Sequence, residues 1–318
     1  MSIVFIFIDG LGLGPALSSN PFYTSRTPFL SDLLEGASLT IEAVDKKYEK
    51  ASLLALDPVM GVEGLPQSAT GQTSLFTGTN AQKHLGKHLR GFPNMALRSI
   101  LAEKGMFLQL KNKSFKGTFA NAYRPNFFIS LNDGKKKYFS CSTLITCYGG
   151  LQFRNLDDLR NGNAVYKDIT HESLKEMGFQ VPTISPQEAG KRLMAISRDY
   201  DLTLYEHFRT DTDGHKGDYH QADQTLIKLD AFLGSVVDNM DPENEMVFLC
   251  SDHGNMENLE VRSHTLNPVP ALIIGKDHHK LAALLEKNKE ISSVLPALLE
   301  VLMGKAGLQR TDRWGADH

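Results

Sequence analysis

Short apolar segments alternate along the chain with longer segments in which apolar residues recur at helical spacing. The short segments are rich in β-branched and aromatic residues and have the length of buried strands. They are residues 3–8, 117–123, 202–206, 246–250 and 271–274. Helical patterns follow at 27–34, from Ser68 onward, and at 93–104, 186–200, 219–240 and 290–303. Strands that alternate with helices predict an α/β fold, in which a mostly parallel sheet carries helices on both faces.

One region interrupts this alternation. Residues 126–184 contain a turn pattern at 132–134, three lysines at 135–137 and only short helical patterns at 156–160 and 172–177. We interpret this region as a small inserted α+β cap over the site, which leaves residues 1–125 and 185–318 as the core domain. An insertion that does not contact substrate is the alternative.

Composition narrows the class of protein. The chain has 318 residues, 41% of them hydrophobic, and a net charge of −3. These values predict an ordinary globular core and no attraction to nucleic acid or to an anionic membrane. The three cysteines show no zinc-ribbon spacing, no apolar stretch approaches the roughly 18 residues of a membrane span, and a cytoplasmic location is expected.

Acidic and imidazole side chains lie at or just after the ends of two of the predicted strands. Asp9 follows strand 3–8, and Asp252 and His253 follow strand 246–250. The carboxyl ends of parallel strands meet at one edge of a sheet, where sites form in open α/β folds. Asp and His are good ligands for Zn²⁺ or Mn²⁺. Each Asp could instead satisfy only its own turn.

Further candidate ligands occur later in the chain. Asp211 and His215 stand four apart in a polar segment, 209–218, that follows strand 202–206 and that we predict as a loop. A plain solvated loop is the alternative there. His264 precedes the last strand, and a surface or packing role is the alternative for a single histidine.

A serine and a group of basic residues complete the candidate chemistry. Ser68 begins a helical pattern, where the positive end of the helix dipole favours phosphate, although serine is also a common helix cap. His84, Lys87, His88 and Arg90 form a basic stretch that suits either an anionic substrate or a solvated surface. We take Arg90 as a candidate substrate contact.

Together these residues suffice for two divalent metals beside a serine. The carboxylates and imidazoles are Asp9, Asp211, Asp252, His215, His253 and His264. That combination has the chemical logic of two-metal phosphoryl transfer, in which the metals stabilise charge on the attacking and leaving oxygens.

Five motifs in this order resemble the alkaline phosphatase superfamily. They are residues 8–12, 68–71, 211–215, 252–255 and 264–270. The chain looks closest to the metalloenzyme core of the cofactor-independent phosphoglycerate mutases, and next closest to the phosphopentomutases.

The resemblance implies a ligand set and a nucleophile. One metal would be held by Asp9, Asp252, His253 and the oxygen of Ser68. A second would be held by Asp211, His215 and His264. Ser68 would form a phosphoserine intermediate, and the metals would be Mn²⁺ or Zn²⁺.

The chain also departs from the mutases. It has Gln72 where they have a histidine after glycine, and it lacks their large inserted domain and their Arg-Asp-Arg cluster. Our leading hypothesis is therefore a phosphatase or phosphoesterase that acts on a small phosphorylated substrate. A phosphomutase is the second hypothesis, and a metal-binding protein without catalysis is the third.

Overall fold

A twisted sheet forms the centre of the molecule. The computed structural model describes the backbone of residues 1–132 and 138–312, and the side chains of residues 1–131 and 138–304. Within those residues a six-stranded sheet has the order β2-β6-β5-β1-β4-β3. The strands are β1 (Ser2–Ile8), β2 (Ala51–Leu56), β3 (Gly117–Phe119), β4 (Leu202–His207), β5 (Glu245–Cys250) and β6 (Val269–Ile274).

Strand direction decides which residues meet at the edge of the sheet. β1 pairs in parallel with β4 and with β5, and β3 pairs in parallel with β4. β6 is antiparallel to both β5 and β2. The amino end of β6 therefore lies at the same edge as the carboxyl ends of the other strands, so the loop before β6 reaches that edge too.

Helices cover both faces of the sheet, which confirms the predicted α/β class. They are α1 (Pro21–Thr24), α2 (Pro28–Leu33), α3 (Ser68–Thr77), α4 (Ala81–Leu85), α5 (Met95–Lys104), α6 (Met106–Asn112), α7 (Pro125–Asn132), α8 (Cys141–Tyr148), α9 (Leu156–Arg160), α10 (Glu172–Glu176), α11 (Pro186–Ser197), α12 (Arg209–Lys216), α13 (Tyr219–Asp238), α14 (His278–Glu286) and α15 (Val294–Asp312). Short 3₁₀ turns occur at Ile41–Ala43 and Ile291–Ser293.

The alternation of β1 shows how the two faces are filled. Phe5 and Phe7 pack with Phe76 of α3 in one hydrophobic cluster, whereas Ile6 and Ile8 pack with Phe232 of α13 in the other. Successive side chains of a strand point to opposite faces, so a strand buried on both faces is apolar throughout.

The predicted loop at 209–218 is wrong, because Arg209–Lys216 is helical as α12. Arg209 pairs with Asp213 one turn later at 3.0 Å, and Thr225 of α13 donates to the same carboxylate at 2.7 Å. Gly217 ends the helix with a positive φ of 66°. The Asp, Thr and Gly residues of this segment are weak helix formers, so tertiary contacts to Asp213 decide its structure.

The region that we interpreted as a cap contains α7, α8, α9 and α10. The predicted turn at 132–134 and the lysines at 135–137 lie at and beyond the limit of the described residues. Leu144 and Ile145 of α8 belong to the cluster beside Phe5, whereas Leu159 and Leu174 belong to a smaller cluster of their own. The division into cap and core stays a prediction. Across the described helices, none has both the length and the apolar character needed to cross a membrane.

Candidate metal centre

Carboxylates and imidazoles from distant parts of the chain converge at the carboxyl edge of the sheet. Asp9 follows β1, Asp252 and His253 follow β5, and α12 carries Asp211. His264 arrives in the loop before β6. In the described part of the chain, two groups have ligand atoms within 4.8 Å of one another: Asp9, Asp252 and His253 form the first, and Asp211, His253 and His264 form the second.

The histidines direct one ring nitrogen at a backbone carbonyl and the other at a carboxylate. Nδ1 of His264 lies 2.6 Å from the carbonyl oxygen of Pro66, and Nδ1 of His215 lies 2.9 Å from that of Arg262. On the other side of each ring, Nε2 of His264 and Nε2 of His215 lie 3.6 Å and 3.4 Å from Oδ1 of Asp211. An Nδ1–H that donates to a carbonyl leaves Nε2 as a lone pair, which is the tautomer of a metal-ligating histidine.

His253 links the two groups of ligands. Its Nε2 lies 3.4 Å from Oδ1 of Asp9 and 3.5 Å from Oδ2 of Asp252, and its ring stacks on that of His264 at 3.7 Å between centroids. Burial and the neighbouring His264 lower the pKa of His253, so the imidazole favours its neutral form. The lone pair of Nε2 of His253 then faces the lone pairs of the Asp9 and Asp252 oxygens, which repel it. A cation bound between these atoms would turn this repulsion into attraction.

The buried carboxyl groups of Asp9 and Asp252 would also be stabilised by a bound cation. Asp9 Oδ1 is buried and has no hydrogen-bond partner among the residues described in the structure. Burial and the nearby carboxylates of Asp252 and Asp211 raise the pKa of Asp9 well above its usual value. Burial and Asp211 raise the pKa of Asp252 to about 8. An adjacent positive charge favours the ionised form of both groups, so this donor set fits divalent metal ions.

Ser68 lies at the amino end of α3 but does not cap it. The N-cap is Gln67, no side chain makes the capping hydrogen bond, and Ser68 is the first helical residue. Its hydroxyl oxygen instead lies 3.0 Å from Nε2 of His253. The hydroxyl is therefore directed at the ligand cluster, and the cap alternative does not describe this structure.

Two residues of α3 hold the helix close to Asp252. A Cβ built on Gly71 would lie 2.7 Å from the carbonyl oxygen of Asp252, a distance that real Cβ atoms do not adopt. Nε2 of Gln72 donates to Oδ2 of Asp252 at 3.1 Å. Gln72, the position that departs from the mutases, thus orients a candidate ligand.

Glu257 ties the loops of the centre together, and the sequence analysis missed it. Its buried carboxylate accepts hydrogen bonds from the backbone N–H groups of Gly12 at 2.9 Å and Asn255 at 2.7 Å. It also accepts from the hydroxyl of Thr265 and from the side-chain amide of Asn267 at 3.0 Å. These partners flank Asp9, His253 and His264. In sequence Glu257 resembles any polar loop residue, and no spacing identifies it.

Glu206 at the end of β4 is a second buried carboxyl beside the centre that sequence reasoning missed. Burial raises its pKa to about 8, and the Ser142 hydroxyl donates to its Oε2. Its Oε1 is buried and has no hydrogen-bond partner in the part of the chain that the structure describes. In the sequence Glu206 appears only as a polar residue at the end of a strand, and nothing there indicates a site.

Basic side chains surround the open side of the centre. A cleft of about 720 Å³ is lined by Ser68 and Asp211 together with Lys87, Arg90 and Arg262. The predicted contact residue Arg90 therefore shares a cleft with Ser68. Positive charge in a cleft attracts and concentrates anionic ligands.

Comparisons with known proteins agree with this geometry. The family model described as the Metalloenzyme superfamily matches residues 1–306. The chain is 27% identical over 287 residues to a 2,3-bisphosphoglycerate-independent phosphoglycerate mutase of Acetivibrio thermocellus. This alignment covers 82% of this chain and 54% of that protein. The chain is 29% identical over 154 residues to the enzyme of the same name from Desulforudis audaxviator, covering 45% and 30% respectively. The chain thus spans about half or less of the length of these relatives.

Solved structures show the same fold. A protein from Pyrococcus horikoshii superposes with a TM-score of 0.53 at 17% identity, over 86% of this chain and 85% of that one. A mutant TAB5 alkaline phosphatase with Mg bound superposes with a TM-score of 0.50 at 10% identity, over 95% and 97%. The resemblance predicted from the five motifs is confirmed.

Proposed function

The chain belongs to the metalloenzyme superfamily, and on that premise we propose that it is a phosphatase or phosphoesterase that acts on a small phosphorylated substrate through Ser68. The observation that carries the proposal is the hydroxyl of Ser68, which lies 3.0 Å from His253 at the point where the two ligand groups meet. A serine that served only as a helix cap would direct its hydroxyl at the backbone of α3.

We assign the ligands as the motifs imply. Asp9, Asp252, His253 and the oxygen of Ser68 would hold one divalent ion, and Asp211, His215 and His264 would hold a second. Oxygen and imidazole ligands suit both Mn²⁺ and Zn²⁺. When bound, such ions supply positive charge that stabilises the oxygens around the transferring phosphorus.

The side chains of this protein would carry the remaining steps. Arg90, Lys87 and Arg262 bring the phosphate into the cleft by charge. The oxygen of Ser68 forms a bond to phosphorus while the bond from phosphorus to the leaving oxygen of the substrate breaks, and the proton lost by the serine hydroxyl is balanced by the proton that the leaving oxygen takes up to become an alcohol. Water then attacks the phosphoserine, which releases inorganic phosphate and restores the hydroxyl.

Phosphate release tests this proposal. The full chain, loaded with Mn²⁺ or Zn²⁺, is assayed on a panel of small phosphomonoesters and phosphodiesters, with Ser68→Ala and His220→Ala measured alongside. His220 is an exposed histidine of α13 outside the centre and serves as a matched control. Release by the wild type and by His220→Ala, but not by Ser68→Ala, is expected. The absence of release from every protein would contradict a phosphatase.

A phosphomutase is the second candidate, and the curated relatives favour it because both are named as mutases. A mutase returns the phosphate to another hydroxyl of the same substrate and must exclude water while the intermediate exists. Isomerisation of a phosphoglycerate or sugar phosphate without phosphate release would identify it. Metal binding with neither reaction would leave the structural-metal hypothesis. A cytoplasmic location stays a prediction.

A further inference from the structure

A second cavity lies beside the candidate metal centre, at the carboxyl ends of β3 and β4. It has a volume of about 390 Å³, within the range of small-molecule sites. Glu206 and Phe208 line it at the end of β4. Between them, the carbonyl of His207 accepts the N–H of Asp9 at 3.0 Å. The wall of the cavity is therefore continuous with the strand ends that carry the candidate ligands.

Aromatic rings form much of this wall. Tyr123 and Phe127 stack with centroids 4.1 Å apart and planes 30° apart. Phe139 meets Phe127 edge to face at 6.1 Å, and Phe208 lines the cavity from the end of β4. Stacked and edge-on rings around an open volume favour a flat aromatic guest, which gains offset-stacking contacts beyond the burial of its area.

Among the described residues, one polar group of the cavity, a carboxylate oxygen of Glu206, lacks a hydrogen-bond partner. Glu206 lines the cavity and is 1% exposed, and its Oε1 makes no hydrogen bond, whereas its Oε2 is held by Ser142. Buried polar atoms without partners are rare and costly in native proteins. A polar edge on the guest would satisfy this oxygen, so a ring that carries nitrogen fits better than a plain hydrocarbon ring.

Cationic groups lie on the same wall. Arg124 and Lys167 line the cavity, and Nζ of Lys167 lies 5.7 Å from the centroid of Phe208. The cavity therefore combines aromatic walls, one buried carboxyl and positive charge. That combination suits an anionic compound whose organic part is an aromatic heterocycle.

We propose that this cavity binds a planar, nitrogen-containing aromatic ring of the substrate, whose phosphoryl group extends to Ser68. The inference rests on the proposed function, because it assigns the organic part of the substrate of that same site. No chemical step is added, since the ring positions the phosphoester and takes no part in bond formation.

Binding of compounds that lack phosphate tests the cavity separately from catalysis. Calorimetry on the metal-loaded full chain compares adenosine, uridine and pyridoxine with ribose. At least one ring compound should bind about tenfold more tightly than ribose. Phe127→Leu, which removes a stacking ring, and Glu206→Met, which removes the unpartnered oxygen, should each weaken that binding about fivefold. Tyr219→Leu, at an exposed aromatic residue of α13, is the control and should have no effect.

Activity separates the two proposals. Phosphate release or isomerisation is measured for adenosine and uridine monophosphates, pyridoxine phosphate and ribose 5-phosphate. A preference for a ring-bearing ester that Phe127→Leu reduces through KM, with kcat retained, supports the inference. Transfer from ribose 5-phosphate with no ring preference and no ring binding would overturn the inference and leave the proposed function standing. Ring binding in a protein that transfers no phosphoryl group would overturn both the proposed function and the assignment of the ring to a substrate.

Discussion

Glu257 makes the candidate metal centre sensitive to a single atom. In Glu257→Gln one carboxylate oxygen becomes an amide nitrogen of similar size. Each carboxylate oxygen accepts two of the four hydrogen bonds, from Gly12 and Asn255 at Oε2 and from Thr265 and Asn267 at Oε1. The amide oxygen can still accept from the backbone N–H groups of Gly12 and Asn255, but the nitrogen then faces the Thr265 hydroxyl and the Asn267 amide, which must reorient to accept from it.

The expected cost follows from these bonds. A hydrogen bond to a charged group contributes about 1.5–3 kcal/mol and one to a neutral group about 0.5–1.5 kcal/mol, so neutralising the acceptor of four bonds predicts a decrease of about 4–6 kcal/mol in the free energy of unfolding. Because the partners flank Asp9, His253 and His264, metal affinity should fall as well, by about tenfold or more, as when groups that orient metal ligands are removed.

Urea unfolding in a chelator measures the first effect, and titration of the metal-free protein with Mn²⁺ measures the second. Glu260→Gln, at an exposed residue of the same loop, is the matched control and should change neither. If Glu257→Gln proves too unstable to purify, Thr265→Val removes one of the four bonds and should cost about 1.5–3 kcal/mol. A Glu257→Gln protein with the stability and the Mn²⁺ affinity of the wild type would refute this reasoning.

Three further predictions concern single side chains. Ser68→Ala should lower the free energy of unfolding of the metal-free protein by about 0.5–1.5 kcal/mol, because it removes the hydrogen bond to Nε2 of His253 rather than a capping bond; in urea unfolding this loss should disappear when His253 is also replaced by Ala, and an undiminished loss of about 1 kcal/mol there would instead indicate a cap. Burial raises the pKa of Glu206 to about 8, above its unfolded value, so its contribution to stability is complete below pH 4.5 and is lost as the pH rises through 8. Metal-free Glu206→Gln should therefore lose less stability than the wild type between pH 4.5 and 8 in urea unfolding, and equal slopes would contradict this. Arg90→Ala should raise KM about tenfold with little change in kcat for the substrate that the panel identifies, and an unchanged KM would remove Arg90 from the site.

The ends of the strands could be predicted because a strand buried on both faces of the sheet appears in the sequence as a continuous apolar run. Residues 3–8 and 246–250 are apolar throughout, and the polar residues that follow, Asp9 after the first and Ser251 and Asp252 after the second, mark the edge of the sheet. Asp9 and Asp252 therefore stand out in the sequence. His264 reaches this edge only because β6 runs antiparallel to β5. The spacing of apolar residues in the sequence does not reveal the direction of a strand.

Other parts depend on contacts between distant segments. α12 was missed because the Asp, Thr and Gly residues between Arg209 and Lys216 are weak helix formers, and it is stabilised by the bond from Thr225 to Asp213. Glu257 was missed because its partners come from three separate loops of the fold. Glu206 was missed because only the packing of Ser142 and of the aromatic cavity sets it apart from an ordinary strand residue. In each case the decisive information lies in tertiary structure rather than in local pattern.

A phosphate adduct on Ser68 is the most direct test of the central claim. The metal-loaded full chain is incubated with the phosphoester panel, quenched in acid and digested, and the peptide that carries Ser68 is analysed by mass spectrometry. We expect phosphate on Ser68 itself, present only when divalent metal is added and absent from Glu257→Gln under metal concentrations that saturate the wild type alone. An enzyme that turns over phosphoesters while Ser68 remains unmodified, and that keeps its activity in Ser68→Ala, would contradict the account.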